Sequence, residues 1–166
     1  MSIRPILSLR DACLRQPALP VTDVRTVQPL IDDLLDTLYA TTNAVGLAAP
    51  QLGERPAVAV VDVSDARDCP LILINPQLLD ASGYEVNREG CLSVPGVRAK
   101  VGRANRIQLR LQTRHGEWLQ LQAADFLAAA IQHELDHLAG RVFIDHLPRW
   151  RQRWLYWRHP DWLRQH

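Results

Sequence analysis

The feature that most constrains this chain is a pair of histidines, His133 and His137, with Glu134 between them. Histidines four residues apart project from one face of a helix, so both imidazoles can bind one metal ion. Glu134 directly follows the first histidine and lies close enough, in such a helix, to contact a water molecule on that metal. The string has the H-E-x-x-H form of a zinc site, although two unrelated surface histidines would give the same letters.

A helix is predicted around this pair. Asp125 is expected to be its N-cap, the helix continues to Ala139, and Gly140 stops it. Apolar residues at 126–131 place its first turns in the core. We expect this central helix to carry the metal site.

A third metal ligand has to come from elsewhere, and two known patterns are missing. No glutamate follows Glu134 in the chain, and Phe143 occupies the position of the third histidine in H-E-x-x-H-x-x-G-x-x-H. Asp145 and His146 remain open as ligands. Cys91 is the better candidate, because thiolate is a soft ligand, and with two imidazoles it leaves one open position, as catalytic sites do. The alternative for Cys91 is a small buried apolar residue.

Composition limits the remaining possibilities. The 166 residues fit one domain, 1–166, and a net charge of +1 gives no field that implies DNA or another polyanion as partner. The longest apolar stretches are strand-sized, which predicts no membrane span. The first residues lack the pattern of a secretory signal, so we expect a cytoplasmic protein with reduced thiols. Cys13 and Cys69 are expected to be small buried side chains.

The rest of the chain predicts a mixed fold. Apolar residues at helical spacing indicate an N-terminal amphipathic helix over about 27–40. Short segments rich in β-formers, or alternating in polarity, predict antiparallel strands at 57–63, 71–74, 98–101, 107–111 and 118–123. We therefore expect an α+β fold in which antiparallel sheets surround the central helix, with a short C-terminal helix.

The C-terminal tail, residues 148–166, is basic and rich in tryptophan. It holds four of the five tryptophans, and its five arginines and one aspartate give a charge of +4. Trp150, Trp154 and Trp157 recur at i, i+4 and i+7, which predicts a helix over about 148–158 with an indole stripe packed on the core. Trp162 completes the set.

Three motifs together resemble one family. The chain reads A-V-G-L-A-A-P-Q at 44–51, E-G-C-L-S at 89–93 and Q-H-E-L-D-H at 132–137. In this combination and order the chain resembles the bacterial-type peptide deformylases, with similarity extending over about 6–147. It departs from the family pattern at Ala44, where the first motif usually has a glycine.

The resemblance implies a peptide-deformylase-like fold and a metal-dependent hydrolase. Such an enzyme removes the N-formyl group from the initiating methionine of nascent polypeptides and releases formate. The implied site has one divalent ion on Cys91, His133 and His137, with Fe²⁺ as the native metal and Zn²⁺, Ni²⁺ or Co²⁺ in purified protein. Glu134 would be the general acid and base. The side-chain amide of Gln51 and the backbone N–H of Leu92 would stabilise the oxyanion, as would the metal.

The resemblance also implies the substrate site and partners. The formyl-methionine side chain should pack near His133, and Glu89 should pair with Arg103 to support the Cys91 segment. The tail arginines would contact ribosomal RNA, while no DNA or membrane partner is expected. A zinc peptidase and a non-catalytic metal-stabilised binding protein remain as alternatives. The expected substrate-binding residues are Val45, Gly46, Gly90, Arg98, Phe126, Ala129 and Ala130.

Overall fold

Three α-helices and seven β-strands are formed within residues 2–160, the part of the chain that this computed structural model describes. The predicted mixture of helices and antiparallel strands is confirmed. The helices are α1 (Gln28–Ala40), α2 (Asp125–Leu138) and α3 (Arg149–Arg158). The strands are β1 (Gly46–Ala48), β2 (Val58–Val61), β3 (Leu71–Ser82), β4 (Glu85–Cys91), β5 (Val94–Arg103), β6 (Arg106–Gln112) and β7 (Trp118–Ala124).

Five of the strands form one antiparallel sheet in the order β1-β2-β3-β6-β7. The other two, β4 and β5, pair only with each other and make a separate hairpin. β1 is therefore an edge strand of the large sheet, and both β1 and the hairpin contribute residues to one cleft.

The large sheet is covered on both faces at β2. Alternate residues of this strand belong to two apolar clusters: Val58 and Val60 pack with α1, whereas Ala59 and Val61 pack with α2. All four are buried, because successive side chains of a strand point to opposite faces. The sheet thus holds α2 against one of its faces, and α2 carries the histidines.

The ends of α2 agree only in part with the sequence. Gly140 follows the helix with a φ of +71°, a conformation in which glycine commonly ends helices, so the predicted stop is confirmed. The N-cap prediction is wrong. Asp125 is the first helical residue, with a φ of +54°, and its backbone N–H donates to the carbonyl of Asn105 at 2.7 Å. The N-cap is Ala124, which has no side chain that could accept a hydrogen bond.

The predicted indole stripe of α3 does not pack on the core. Trp150, Trp154 and Trp157 are 72%, 50% and 75% exposed, and Leu155 takes the buried position instead. Tyr156 packs beside Leu155, and its hydroxyl accepts a hydrogen bond from Arg15 at 2.6 Å. The spacing identified a common face correctly, but the core-facing side of the helix belongs to other residues. Trp162 lies outside the described residues.

Two further burial predictions are wrong. Phe126 is 56% exposed, because it stands at the start of α2 where the cleft opens. Cys69 is exposed in the loop that joins β2 and β3, whereas Cys13 is half-buried.

No helix among residues 2–160 is long and apolar enough to cross a membrane.

Candidate metal centre

The three predicted ligands meet at one point. The ligand atoms of Cys91, His133 and His137 all lie within 4.8 Å of one another. Sγ of Cys91 is 3.3 Å from Nε2 of His137, which is close to the separation of about 3.6 Å expected for two ligands of one tetrahedral ion. A thiolate and two imidazoles suit zinc and the divalent ions of iron, nickel and cobalt, so the donor set fits a metal.

The hairpin delivers the cysteine. Glu89 pairs with Ala99 and Gly90 with Arg98, but Cys91 pairs with Val94, so the register shifts between Gly90 and Cys91. Such a shift bends the strand and re-aims its last side chain. The two-residue link of Leu92 and Ser93 then turns the chain into β5.

His133 is oriented by a carboxylate. Its Nδ1 lies 2.9 Å from Oε2 of Glu89, which leaves Nε2 available to bind a metal ion. Burial disfavours the charged imidazole, but hydrogen bonds with Cys91 and Glu89 outweigh it and raise the pKa of His133 well above its ordinary value. A metal ion that binds here must therefore displace a proton from this ring.

Glu89 is in turn held by Arg103. The guanidinium donates from Nε at 2.7 Å and from Nη2 at 2.9 Å, so the predicted pair is confirmed. Burial alone would raise the pKa of Glu89, but the hydrogen bonds from Arg103 and His133 lower it to about 2. The carboxylate is therefore ionised throughout the neutral range.

The same arginine reaches a second buried carboxylate, Asp136. Nη1 of Arg103 donates to its Oδ2 at 2.6 Å, and His146 Nε2 lies 2.6 Å from the same oxygen. Despite burial, these contacts lower the pKa of Asp136 to about 2. His146 is thus engaged with Asp136, and Asp145 pairs with Arg15 at 2.6 Å. Neither belongs to the cluster of ligand atoms, which consists of Cys91, His133 and His137.

Two polar atoms of this region are buried without a hydrogen-bond partner among the described residues: Oε2 of Glu134 and Nδ1 of His137. Burial, and then the positive charge of His133, lower the pKa of His137 well below its ordinary value, so this ring is neutral and able to bind a metal. Burial, assisted by the carboxylates of Glu89 and Asp136, raises the pKa of Glu134 to about 7 against the attraction of His133. Glu134 can therefore accept and release a proton near neutral pH.

Gly46 makes room for that glutamate. A Cβ added to Gly46 would overlap the Glu134 carboxylate, with its Cδ only 2.9 Å away. Real side chains almost never approach so closely, so the glycine on the edge strand β1 determines where Glu134 can lie. The sequence had suggested only that Gly46 borders the substrate.

Gln51 points its amide nitrogen into the site. It follows β1 in a short 3₁₀ turn and is almost completely buried. Its Oε1 accepts from the Ala48 N–H at 3.0 Å, which turns Nε2 toward Ser93 Oγ at 3.2 Å and Cys91 Sγ at 3.7 Å. Ser93 had not been recognised from the sequence, because only the folded chain brings it to Gln51.

A cleft of about 850 Å³ opens over the ligand cluster. Every predicted substrate residue lines it, and so do residues that sequence reasoning missed, among them Asn43, Asn87 and Arg88. The predicted residues on the cleft wall are Val45, Gly46, Gly90, Arg98, Phe126, Ala129 and Ala130.

The loop before β1 accommodates Ala44, where the motif usually has a glycine. The residue of this loop with a left-handed backbone is Asn43, with a φ of +63°, and Ala44 is buried.

Known proteins are similar to this chain over nearly its whole length. A family model described as "Polypeptide deformylase" matches residues 3–153. The "Peptide deformylase 2" of Vibrio cholerae is 50% identical over 153 residues, which cover 92% of this chain and 91% of that protein. A peptide deformylase crystal structure from Legionella pneumophila has 34% identity and a TM-score of 0.88, covering 98% of this chain and 96% of that one. One from Ehrlichia chaffeensis, in complex with actinonin, has 30% identity and a TM-score of 0.89, with 97% and 98% covered.

Proposed function

The chain belongs to the polypeptide deformylase family and removes the N-formyl group from nascent peptides, and we propose that it does so at a metal held by Cys91, His133 and His137. The observation that carries the proposal is the convergence of these three side chains, from β4 and α2, on one point in the cleft. When bound, a divalent ion supplies Lewis acidity, which polarises a carbonyl and lowers the pKa of a water molecule.

Glu134 is the general acid and base of this proposal. Burial raises its pKa to about 7 in the metal-free protein, and a carboxylate in this position can take the proton of the attacking water and deliver that proton to the amine that leaves. It is buried against Gly46 and Oε2 has no partner in the described chain, so the carboxylate is free to exchange a proton with a reactant.

The amide of Gln51 and the backbone N–H of Leu92 stabilise the oxyanion. Attack on the formyl carbonyl develops negative charge on its oxygen, and donors that are already aimed lower the barrier. Gln51 Nε2 is held in place by the bond that its Oε1 accepts from Ala48, so it needs no reorientation.

The methionine side chain binds where α2 is lined with small residues. Ala129 and Ala130 line the cleft beside the ligand His133, and Val45 and Phe126 also line it. Gly46 is the first residue of β1 and Gly90 lies next to the end of β4, and both let the peptide backbone approach closely. Arg98 contacts the substrate peptide further from the formyl group. The small side chains of Ala129 and Ala130 leave room for a long unbranched side chain next to the metal.

The native ion in this proposal is Fe²⁺, in a cytoplasmic enzyme. Zn²⁺, Ni²⁺ or Co²⁺ would replace it in purified protein, because this donor set discriminates little among them and zinc binds more tightly than Fe²⁺. Metal analysis of protein purified without oxygen, beside activity after reconstitution with each ion, tests this assignment. Higher specific activity with zinc than with iron would contradict it.

The activity test uses formyl-Met peptides and the same peptides without the formyl group, under anaerobic conditions. We expect formate and a free methionine amino group from the first set, and no cleavage between residues of the peptide in either set. Cys91→Ser should lose the metal, whereas Glu134→Ala should keep metal and fold but lose at least about a hundredfold in turnover. A peptidase would instead cut between residues and create new termini within the peptide. An active Glu134→Ala enzyme would contradict the role of Glu134 as general acid and base.

Contact with the ribosome is a further part of the proposal. Arg149, Arg153 and Arg158 are exposed on α3 beside the exposed tryptophans, and Arg158 stacks on Trp154 at 5.3 Å. Arginine binds phosphate well, so this surface suits RNA. We expect Arg153→Glu with Arg158→Glu to weaken co-sedimentation with ribosomes at low salt and to leave peptide turnover intact. Equal sedimentation of this variant and the wild type would eliminate the contact.

A further inference from the structure

The hairpin of β4 and β5 carries three cations on its outer face. Its register pairs Arg88 with Lys100 and Gly90 with Arg98. Residues two apart on a strand share a face, so Arg88, Lys100 and Arg98 lie side by side on one surface, which we term the cationic rim. The intervening Glu89 points inward to His133.

No carboxylate neutralises this rim. Within residues 2–160, none of the three side chains has a hydrogen-bond or ion-pair partner. Like charges placed directly opposite each other on paired strands are destabilising, and Arg88 faces Lys100 in this way. An acidic group from outside the chain would relieve the repulsion.

The rim continues into the cleft. Arg88 and Arg98 both line it, and Arg98 lies across Gly90, with Cγ 3.4 Å from where a Cβ of that glycine would be. The carboxylates that line the cleft, Glu89 and Glu134, are both at the metal end and are buried or nearly so. The outer part of the cleft is therefore positive, although the whole chain carries only +1.

We propose that Arg88, Arg98 and Lys100 select formylated peptides with an aspartate or glutamate shortly after the methionine. The inference rests on the proposed function, because it places the formyl group at the metal and the following residues along the hairpin. Charge complementarity determines the occupant: an acidic side chain is attracted to the rim and a basic one is repelled.

The size of the preference follows from the exposure of the rim. Ion pairs in contact with water are weak, so each gives a factor of only about 1.5 to 5 in affinity. Together the cations should raise kcat/KM for an acidic peptide by about threefold to tenfold over its neutral isostere. Salt should reduce this ratio, because the Debye length falls from about 10 Å at 0.1 M to about 3 Å at 1 M.

The test compares peptides that differ in one charge. Formyl-Met peptides with C-terminal amides carry aspartate, asparagine or lysine at the second, third or fourth position, and kcat/KM is measured at low and high salt. We expect aspartate to exceed asparagine by at least threefold at one position or more, and lysine to fall below asparagine. Arg88→Glu should abolish or invert the preference, and Arg88→Gln should reduce it.

The matched control is Arg106→Glu, which reverses an exposed arginine on β6 away from the cleft and should keep the wild-type ratio. A structural role of Arg88 would change the melting temperature without changing the ratio. Ratios within twofold at every position, or an Arg88→Glu enzyme with wild-type selectivity, would overturn the proposal. Failure of the proposed function gives a different result, since no peptide of the series would then release formate.

Discussion

Glu134 should make the metal-free protein less stable as the pH rises from 4.5 to 7. Burial and neighbouring carboxylates raise its pKa from an ordinary 4.5 to about 7. Between these values the folded protein holds a proton that the unfolded chain has released, so the free energy of unfolding falls as pH increases. One pKa unit corresponds to about 1.4 kcal/mol, so the ionisation of Glu134 costs the folded state about 3 kcal/mol above pH 7.

Glu134→Gln keeps the shape of the side chain and removes the titration. We expect the metal-free variant to be more stable than the wild type by about 3 kcal/mol at pH 8, and equally stable at pH 4. Urea unfolding of both proteins with a chelator, at intervals from pH 4 to pH 8, measures the difference. The metal-loaded variant should lose at least about a hundredfold in turnover.

The matched control is Glu117→Gln, which replaces an exposed glutamate on the turn before β7. It measures the effect of losing a surface carboxylate that does not line the cleft. A constant difference for Glu134→Gln across the series, or a variant less stable than the wild type at pH 8, would refute the reasoning. The pKa near neutrality, on which the acid–base role depends, would then be wrong.

Three other predictions concern the same cleft. Gly46→Ala should lower kcat by tenfold or more, because the new Cβ displaces the Glu134 carboxylate; unchanged kcat contradicts this. Ala129→Phe should raise KM for formyl-Met peptides at unchanged melting temperature, and an unaltered KM would mean that the pocket is elsewhere. The contact with Arg103 helps to lower the pKa of Glu89 to about 2, so the ionised carboxylate stabilises the fold fully above about pH 5 and this stabilisation is lost as pH falls toward 2. Glu89→Gln should therefore reduce the fall in melting temperature between pH 5 and pH 2.

The sequence predicted which side chains come together in the site better than it predicted the strands. Ligand spacing on α2 is local, since a helix brings residues four apart together whatever surrounds it. By contrast, β3 continues to Ser82, eight residues past the predicted end. The Asn-Pro pair at 75–76 reads as a stop, yet the strand passes through it because the register shifts between Ile74 and Gln77. Asn75 takes a φ of +49° there.

β4 was missed for a different reason. Its sequence, E-V-N-R-E-G-C, has little of the apolar alternation that predicts strands, because one face carries solvent-exposed charge and the other a buried polar network. The sequence does not predict that network either, because its members are far apart along the chain. Arg103 and His146 are 43 residues apart, and only folding brings both to Asp136.

The register of β4 places a negative charge on one face of the strand and a positive charge on the other. Strand alternation turns Glu89 toward His133, the proposed metal ligand, and turns its neighbour Arg88 outward, where we propose that its positive charge meets the peptide. A slip of one residue would exchange the two. It would bury Arg88 beside the ring of His133, and Arg103 would keep only Asp136 of its two carboxylate partners. Because an unpaired buried charge typically costs about 3 to 5 kcal/mol, the burial of Arg88 itself opposes the slip. The contacts of Glu89 with Arg103 and His133 therefore also hold Arg88 on the outer face of the hairpin.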